Sequence, residues 1–192
     1  VPADATAFTL NTRCFEEAFL GFVQLTERLR AGDLSGSEQR LEDRTYFAKH
    51  QKPAGGGVID WNRSGNEILR LIRACDFGQV PNGFATAKLA LPDAMLVVRS
   101  AKIVELNQPA SPGTIIADSP SLVVATSDGA LKIGELLTLS GDSVSAADLG
   151  ELGIARGVHL PCVDADEAGL HEDLFSALSR RDSFWVHHIS NC

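Results

Sequence analysis

Cysteine and histidine side chains are the first candidates for chemistry in this sequence, because they supply thiol nucleophiles and zinc ligands. His159 lies shortly before Cys162, and the pair His187-His188 precedes Cys192. A zinc site needs ligands paired at short fixed spacings, and the four cysteines are scattered singly along the chain. We therefore predict no metal site and no thiol catalysis. Reduced thiols in a cytoplasmic protein are the simpler interpretation.

A glycine run and an acidic–aromatic pair come next along the chain. Gly55-Gly56-Gly57 lacks the lysine and Ser/Thr of a nucleotide-binding loop, so it does not indicate a phosphate cradle. Asp60-Trp61 has two interpretations. It is either an acid that contacts substrate beside a stacking ring, or an aromatic anchor for the next helix with Asp60 as a turn acceptor. The anchor is favoured.

Three arginines, Arg63, Arg70 and Arg73, lie on or beside the helix predicted after this pair. Arg70 and Arg73 share a helix face, and they could form a basic edge that binds an anionic ligand. The favoured alternative is a solvent-exposed helix face whose arginines pair with nearby acidic residues. From residue types and spacing alone, the sequence shows no self-contained active site. We assign no catalytic, cofactor-binding or metal-binding residue.

The elements that must position these side chains begin with two predicted helices. Apolar residues recur at helical spacing over residues 12–30, and Gly32 is placed to end this helix as a left-handed cap. Ser64 and Glu67 form a capping box in front of a second amphipathic helix, which should end near residues 77–78.

From about Lys88 the hydrophobic pattern changes from helical to extended. Several β-rich runs are separated by turn signals, and the Asp128-Gly129 signal is typical of a two-residue hairpin. The runs cover residues 95–98, 103–106, 113–117, 122–126 and 130–139. Short strands at this spacing predict a small antiparallel barrel or sandwich.

The last part of the chain is predicted to be helical again. Ser145 is placed to cap a short helix, and residues 157–161 indicate an extended linker. A further helix should start near Asp166, with an apolar stripe formed by Leu170, Leu174 and Leu178.

The overall charge limits the classes of partner. Lys and Arg total 17 against 25 Asp and Glu, so the formal net charge is −8. Broad nucleic-acid binding needs a basic surface that displaces phosphate counterions, and docking on an anionic membrane needs one too. All apolar runs are far shorter than the roughly 20 residues that span a bilayer. We therefore expect neither nucleic-acid nor membrane partners.

Six short strings occur in one order along the first two thirds of the sequence. They are Ala3-Asp4-Ala5-Thr6, Tyr46-Phe47-Ala48-Lys49, Val58-Ile59-Asp60-Trp61, Ile72-Arg73-Ala74, Pro112-Gly113-Thr114-Ile115 and Val124-Ala125-Thr126-Ser127-Asp128-Gly129. Together they resemble the C-terminal half of the formyltetrahydrofolate-dependent formyltransferase family, which includes methionyl-tRNA formyltransferase. The resemblance extends from Pro2 to about Gly150, and it implies that the chain is part of a longer protein.

The resemblance implies an α+β fold in three parts. Residues 1–80 would be the terminal elements of a Rossmann-like formyltransferase domain and a connecting helix. Residues 81–145 would be a small OB-like open β-barrel, in agreement with the strand pattern above. Residues 146–192 would be a helical tail leading towards a following domain.

The resemblance also implies formyl transfer from 10-formyltetrahydrofolate to an amino group. The family's formyl-transfer residues (an Asn, a His and an Asp) and its His-x-Ser-Leu-Leu-Pro string belong to the first part of the transferase domain. Neither that string nor the region that holds those residues occurs in this sequence. We therefore carry over no catalytic residue, and we expect the folate site upstream of this chain.

The acceptor is the point on which the sequence departs from the tRNA-modifying members. Those members have a Pro-Trp-Pro-Gly-like string after Ile-Arg-Ala, whereas this chain has residues 75–83 there. That segment, and residues 182–186, resemble formyltransferase-like domains of nonribosomal peptide synthetases, which implies neighbouring synthetase or carrier domains as partners. Asn82 and Lys88 are the predicted substrate-binding residues, with turn residues at the barrel entry as the alternative. Methionyl-tRNA formyltransferase itself and a noncatalytic docking barrel stay open as other functions.

Overall fold

The computed structural model describes residues 2–47, 51–80, 82–106 and 108–162, together with residues 166, 169, 170, 173, 174 and 177. Within these residues, no helix combines the length and the apolar character that a membrane crossing requires. The division of the chain at residues 80 and 145 stays a prediction.

Helix α1 spans Ala7–Arg30 and begins earlier than the predicted residue 12. The missed signal is the Thr6 cap: its hydroxyl accepts from the Thr9 N–H at 3.3 Å, and the Thr9 hydroxyl accepts from the Thr6 N–H at 2.9 Å. A capping box built from two threonines lacks the Glu or Gln that marks the usual pattern. The helix ends as predicted, because Gly32 adopts a φ of 75°.

The apolar face of α1 is uncovered: the described part of the chain buries none of its 24 residues. Phe15 and Phe19 are 77% and 68% exposed. The helix contacts the rest of the protein at its beginning, where the Phe8 N–H donates to the Asp76 carbonyl at 2.9 Å. The Phe8 ring lies against Gly78 at the same place. Within the described residues, these contacts hold α1 at its beginning.

Helix α2 spans Gly65–Ala74 and carries the predicted capping box. The Glu67 N–H donates to the Ser64 hydroxyl at 3.3 Å, and the Ser64 N–H donates to the Glu67 carboxylate at 3.1 Å. The helix ends at the Cys75 cap, two to three residues before the predicted end. Ile68 and Ile72 point into the core, which fixes α2 on the sheets.

Two antiparallel sheets form the core, as the strand pattern predicts. The first contains β1 (Lys88–Ala90), β2 (Met95–Val98) and β7 (Leu136–Leu137), in the order β1-β2-β7. The second contains β3 (Ala101–Val104), β6 (Ala130–Ile133), β5 (Val123–Ala125) and β4 (Ile115–Ala117), in the order β3-β6-β5-β4.

The run predicted as one strand over residues 130–139 is two strands in different sheets. The chain leaves β6 at Gly134, whose N–H donates to the Ser100 carbonyl at 2.8 Å. The Arg99 N–H donates to the Glu135 carbonyl at 3.0 Å. The connection from β2 to β3 and the connection from β6 to β7 therefore lie next to each other where they pass from one sheet to the other. A Cβ at Gly134 would overlap the Ser100 hydroxyl, which explains the glycine at this corner.

The predicted hairpin connects β5 to β6. The Thr126 N–H donates to the Gly129 carbonyl at 2.8 Å, so Ser127 and Asp128 are the central residues of the turn, one position before the predicted Asp128-Gly129 pair. Asp128 also reaches outside the hairpin, because its carboxylate accepts from the Gly65 N–H at 2.7 Å. The hairpin therefore contacts the first turn of α2.

Residues after the sheets pack back onto them. Helix α3 (Ala146–Glu151) has the predicted Ser145 cap. The segment predicted as an extended linker over residues 157–161 is extended around His159 but is paired with the sheet: the Ile115 N–H donates to the Val158 carbonyl and the Leu160 N–H donates to the Gly113 carbonyl, both at 2.9 Å. We call the two sheets with α2 and α3 the sheet body. In the tail, Leu170 and Leu174 are helical as predicted, while Leu178 and residues 182–192 lie outside the described residues.

Candidate binding cleft

A cleft of about 510 Å³ opens between the end of α2 and the first sheet. One wall is the segment that follows α2, residues 75–80, and the floor is the end of β2, residues 97–99. The opposite wall is formed by β7 and the turn after it, residues 137–141. This volume is in the range that binds a small molecule or the arm of a larger one.

An ion pair joins one wall of the cleft to its floor. The Arg99 Nη2 donates to the Asp76 carboxylate at 3.1 Å, and the Gly78 N–H donates to the same carboxylate oxygen at 3.0 Å. The Nε–H of Arg99 is buried and finds no acceptor among the described residues. A buried donor without a partner costs free energy that a suitable oxygen would recover.

Most of the remaining lining is apolar, but Gln79, Asn82 and Thr86 add polar groups to the Thr138 and Ser140 hydroxyls. Ile72, Val97 and Leu137 line the interior. At the mouth, the Thr138 and Ser140 hydroxyls lie 2.7 Å apart, and Ser140 donates to the Asp142 carboxylate at 2.7 Å. The cleft is thus lined by the Arg99–Asp76 pair and by the hydroxyl groups of the turn after β7.

Sequence reasoning missed this cleft, because its polar residues come from distant parts of the chain. Asp76 and Arg99 are separated by 23 positions and meet only when α2 docks on β2.

Asn82, a predicted substrate-binding residue, lies at the rim of this cleft. Its side-chain oxygen accepts from the Phe84 N–H at 3.0 Å and the Ala85 N–H at 3.2 Å, which fixes the turn into β1. Contact between Asn82 and a substrate stays a prediction.

Lys88, the other predicted contact, lies on β1 and is half-buried. Its ammonium donates to the Gly56 carbonyl at 2.7 Å and the Thr86 carbonyl at 3.2 Å, and burial lowers its pKa. Burial also raises the pKa of the nearby Cys75 thiol to about 11, so that thiol is protonated near neutral pH. A role for Lys88 in substrate binding stays a prediction.

The earlier candidates have structural roles. The Trp61 side chain is fully buried in the core, and the Asp60 carboxylate accepts from the Asn62 N–H at 3.0 Å, as the anchor interpretation predicts. Gly55, Gly56 and Gly57 are buried with φ near 61°, 62° and 89°. A Cβ at Gly57 would overlap the Thr86 carbonyl oxygen, so this run makes room for neighbouring backbone.

Of the three arginines, Arg63 follows the favoured interpretation of a solvated residue paired to nearby acids. Arg63 pairs with Glu67 at 3.4 Å and lies 3.8 Å from the Asp60 carboxylate. Arg70 is exposed, and the Arg73 guanidinium donates to the Leu69 carbonyl at 3.3 Å and to the Ala3 carbonyl. They do not converge on one point.

Within the described residues, no cluster of three metal-ligating side chains occurs. Cys14, Cys75 and Cys162 are free thiols. Burial and the neighbouring Asp60 carboxylate raise the pKa of Cys162, which keeps its thiol protonated. His187, His188 and Cys192 lie outside the described residues.

The fold and the cleft define a mixed α/β protein built on two antiparallel sheets, with a helix docked across them. Residues 54–151 match the family described as formyl transferase, C-terminal domain, and the chain belongs to that family. This match confirms the family inferred from the six ordered strings.

Among curated proteins, the chain is 35% identical over 134 residues to methionyl-tRNA formyltransferase of Marinobacter nauticus, covering 69% of this chain and 40% of that protein. It is 37% identical over 150 residues to the same-named protein of Paraburkholderia phymatum, covering 76% of this chain and 42% of that one. The chain thus spans about two fifths of the length of these relatives.

Among solved structures, a variant of HypX from Aquifex aeolicus overlaps 71% of this chain and 24% of its own length, at a TM-score of 0.49 and 19% identity. HypX in complex with tetrahydrofolic acid overlaps 68% of this chain and 22% of its own, at a TM-score of 0.47 and 22% identity.

Proposed function

We propose that this chain is the C-terminal part of a formyltransferase that N-formylates an amino group with 10-formyltetrahydrofolate. Membership of the formyl transferase C-terminal family supports the reaction class. The formyl group would pass from the folate nitrogen to the acceptor nitrogen, which loses a proton as tetrahydrofolate leaves. The residues for this step and the folate site would lie upstream, so this chain alone should not catalyse it.

The uncovered face of α1 is the observation that carries this proposal. Phe8, Phe15, Phe22 and Leu29 recur every seven residues, and Phe19 lies beside them, all exposed. A large apolar face of this kind marks an interaction surface. We propose that it packs in a Rossmann-like transferase domain as one of that domain's last elements. The two sheets would then be an OB-like open barrel attached to it.

The acceptor has two candidates, each with its own support. Residues 75–83 and the net charge of −8 favour an aminoacyl group on a carrier domain of a modular peptide synthetase, with neighbouring synthetase or carrier domains as partners. The names of the two relatives favour initiator tRNA as much or more. A noncatalytic docking barrel is the remaining alternative. The free thiols support a cytoplasmic location for each of them.

Formylation by the parent polypeptide tests the reaction and the acceptor together. The parent is incubated with 10-formyltetrahydrofolate and either an aminoacylated carrier domain or methionyl-tRNA. Mass spectrometry then detects formylation of the acceptor as a gain of about 28 Da, the mass of one CO unit. We expect transfer to one acceptor, and loss of transfer when alanine replaces the upstream family histidine. No transfer to either acceptor would contradict the proposal and favour the docking barrel.

A matched pair of variants tests the role of α1. In the parent, Phe19→Asp should lower stability and formyl transfer, because it places a charge in the proposed domain contact. Gln24→Asp introduces the same charge on the opposite side of the helix and should leave both unchanged. Equal behaviour of the two variants would show that the apolar face of α1 is not a domain contact.

A further inference from the structure

The end of α2 and the turn after it, residues 73–78, hold the part of the chain that leads into α1. The Arg73 guanidinium donates to the Ala3 carbonyl, four residues before the helix begins. The Phe8 N–H, in the first turn of α1, donates to the Asp76 carbonyl at 2.9 Å. We call residues 73–78 the attachment segment.

Residues 31–47, which follow α1, lie in solvent. They are all exposed, and among the described residues they form hydrogen bonds only with α1 or with one another. The bonds made by Arg73 and Phe8 are therefore the hydrogen bonds that join residues 2–47 to the rest of the described chain. The attachment segment thus locates α1 on the sheet body, with the Phe8 ring against Gly78 as an apolar contact.

The attachment segment is itself fixed on the sheet body. The Asp76 carboxylate accepts from the Arg99 guanidinium at 3.1 Å and from the Gly78 N–H at 3.0 Å, which ties the turn to the end of β2. Arg73 also donates to the Leu69 carbonyl of α2 at 3.3 Å. The Asp76 carbonyl is thus held facing α1, where it satisfies an N–H of the first turn that has no partner within the helix.

We propose that Arg73 is a positioning residue, which through the Ala3 carbonyl sets how the transferase domain and the sheet body meet in the parent polypeptide. This role rests on the proposed function, in which α1 is one of the last elements of the transferase domain. An acceptor that contacts the sheet body would then meet the formyl group only while the two parts keep one spacing. Misplacement of a reacting group by about 1 Å can cost roughly a hundredfold in rate.

Amide hydrogen exchange, measured by NMR on the 192-residue chain, tests the attachment without any formyl transfer. Arg73→Met keeps an apolar stem and removes the donor to Ala3. The protection factor of the Phe8 amide should fall roughly tenfold, because a hydrogen bond from a charged donor is lost. Arg70→Met makes the same substitution on the exposed side of α2 and should leave that protection factor unchanged. Exchange in the sheets should stay the same in both variants.

Two further variants keep the result decisive if Arg73→Met fails to fold. Arg73→Lys retains one charged donor, so protection of the Phe8 amide should lie between those of Arg73→Met and the unsubstituted chain. Phe8→Ala removes a ring that is 45% exposed, so this chain should fold and lose protection at position 8 several-fold. Phe15→Ala, which removes a ring that is 77% exposed and lies seven residues later, is its control.

Steady-state kinetics of the parent polypeptide test the positioning role. In Arg73→Met, kcat/KM for the acceptor should fall roughly tenfold or more, because the acceptor is misplaced. The KM for 10-formyltetrahydrofolate should stay unchanged, because the folate site would lie within the transferase domain. Arg70→Met should match the unsubstituted parent in both constants.

The two measurements separate this inference from the proposed function. A parent that transfers no formyl group to either acceptor would contradict the proposed function, while hydrogen exchange still decides whether Arg73 holds α1. Unchanged protection at position 8 in both Arg73→Met and Phe8→Ala would overturn the inference. Equal kinetic losses in Arg73→Met and Arg70→Met would overturn it as well.

Discussion

Helices α1 and α2 both begin at a capping box, yet they contribute to the protein in different ways. Helix α2 buries Ile68 and Ile72 against the sheets, and Trp61 is enclosed beside it. Helix α1 is more than twice as long and buries none of its residues within the described chain. Local signals thus determine where each helix begins, whereas burial determines whether the helix shares the cooperative stability of the fold.

The largest expected difference between the two regions lies in their aromatic residues. Trp61→Ala should lower the free energy of unfolding by about 3–5 kcal/mol, because it leaves a cavity in the core of the sheet body. Phe19→Ala in the same chain should change it by less than about 0.5 kcal/mol, because that ring is exposed. Urea denaturation followed by Trp fluorescence for Phe19→Ala, and by circular dichroism for Trp61→Ala, measures both. Similar losses in the two variants would show that α1 contributes to the stability of the sheet body.

Two glycines with positive φ give the next contrast. Gly57→Ala should cost about 3 kcal/mol, since its new Cβ would overlap the Thr86 carbonyl as well as strain the backbone. A Cβ at Gly32, after α1, meets no described atom within 4 Å, so Gly32→Ala should cost only about 1 kcal/mol, confined to the helix end. Thermal unfolding monitored by circular dichroism separates the two. A larger effect at Gly32 would show that the end of α1 is packed.

The capping residues provide a smaller and more local test. Ser64→Ala should reduce the stability of the whole sheet body by about 1 kcal/mol, because α2 unfolds together with the sheets. Thr6→Ala removes an equivalent cap from α1 and should reduce helix content with little change in the unfolding midpoint of the sheet body. Hydrogen exchange of the helix amides distinguishes local from global loss. Faster exchange in the sheets after Thr6→Ala would contradict this separation.

The smallest expected effect concerns acid. The hydrogen bond from the Gly65 N–H holds the pKa of Asp128 below its ordinary value of 3.8. The ionised carboxylate therefore stabilises the fold above pH 3.8, and this contribution to the free energy of unfolding is lost as the pH falls below that value. Asp128→Asn should therefore make the unfolding midpoint of the sheet body less dependent on pH over that range. Arg28 lowers the pKa of Asp33 to about 2, but Asp33→Asn should leave that dependence unchanged because Asp33 lies beyond α1. Denaturant titrations between neutral and acidic pH measure both slopes, and a shared response would weaken the contrast.

Local signals explain what could be predicted from the sequence. The start of α2 followed from Ser64 and Glu67, and the strand runs followed from β-rich segments separated by turn residues. The start of α1 was missed because Thr6 and Thr9 cap it without an acidic partner. In each case the decisive atoms lie within a few residues of one another.

The features that could not be predicted depend on contacts between distant residues. The break between β6 and β7 arises where Gly134 meets Ser100. The sequence gives no sign of this break, because residues 130–139 form one continuous β-rich run. Residues 157–161 pair with β4 although their composition indicates a linker. The cleft requires Asp76 and Arg99 to meet across the end of α2. The candidate site is thus a product of tertiary packing, whereas the family was recognisable from short strings.

The contact between Phe8 and Gly78 has a mechanical consequence. A Cβ at Gly78 would lie 3.1 Å from the Phe8 ring, so the bare backbone there sets the spacing between α1 and the sheet body. Helix α1 has 24 residues and is therefore about 36 Å long, at a rise of 1.5 Å per residue. Because the Phe8 ring rests on this backbone, the direction in which α1 leaves the sheet body depends on Gly78, and a side chain there should change that direction.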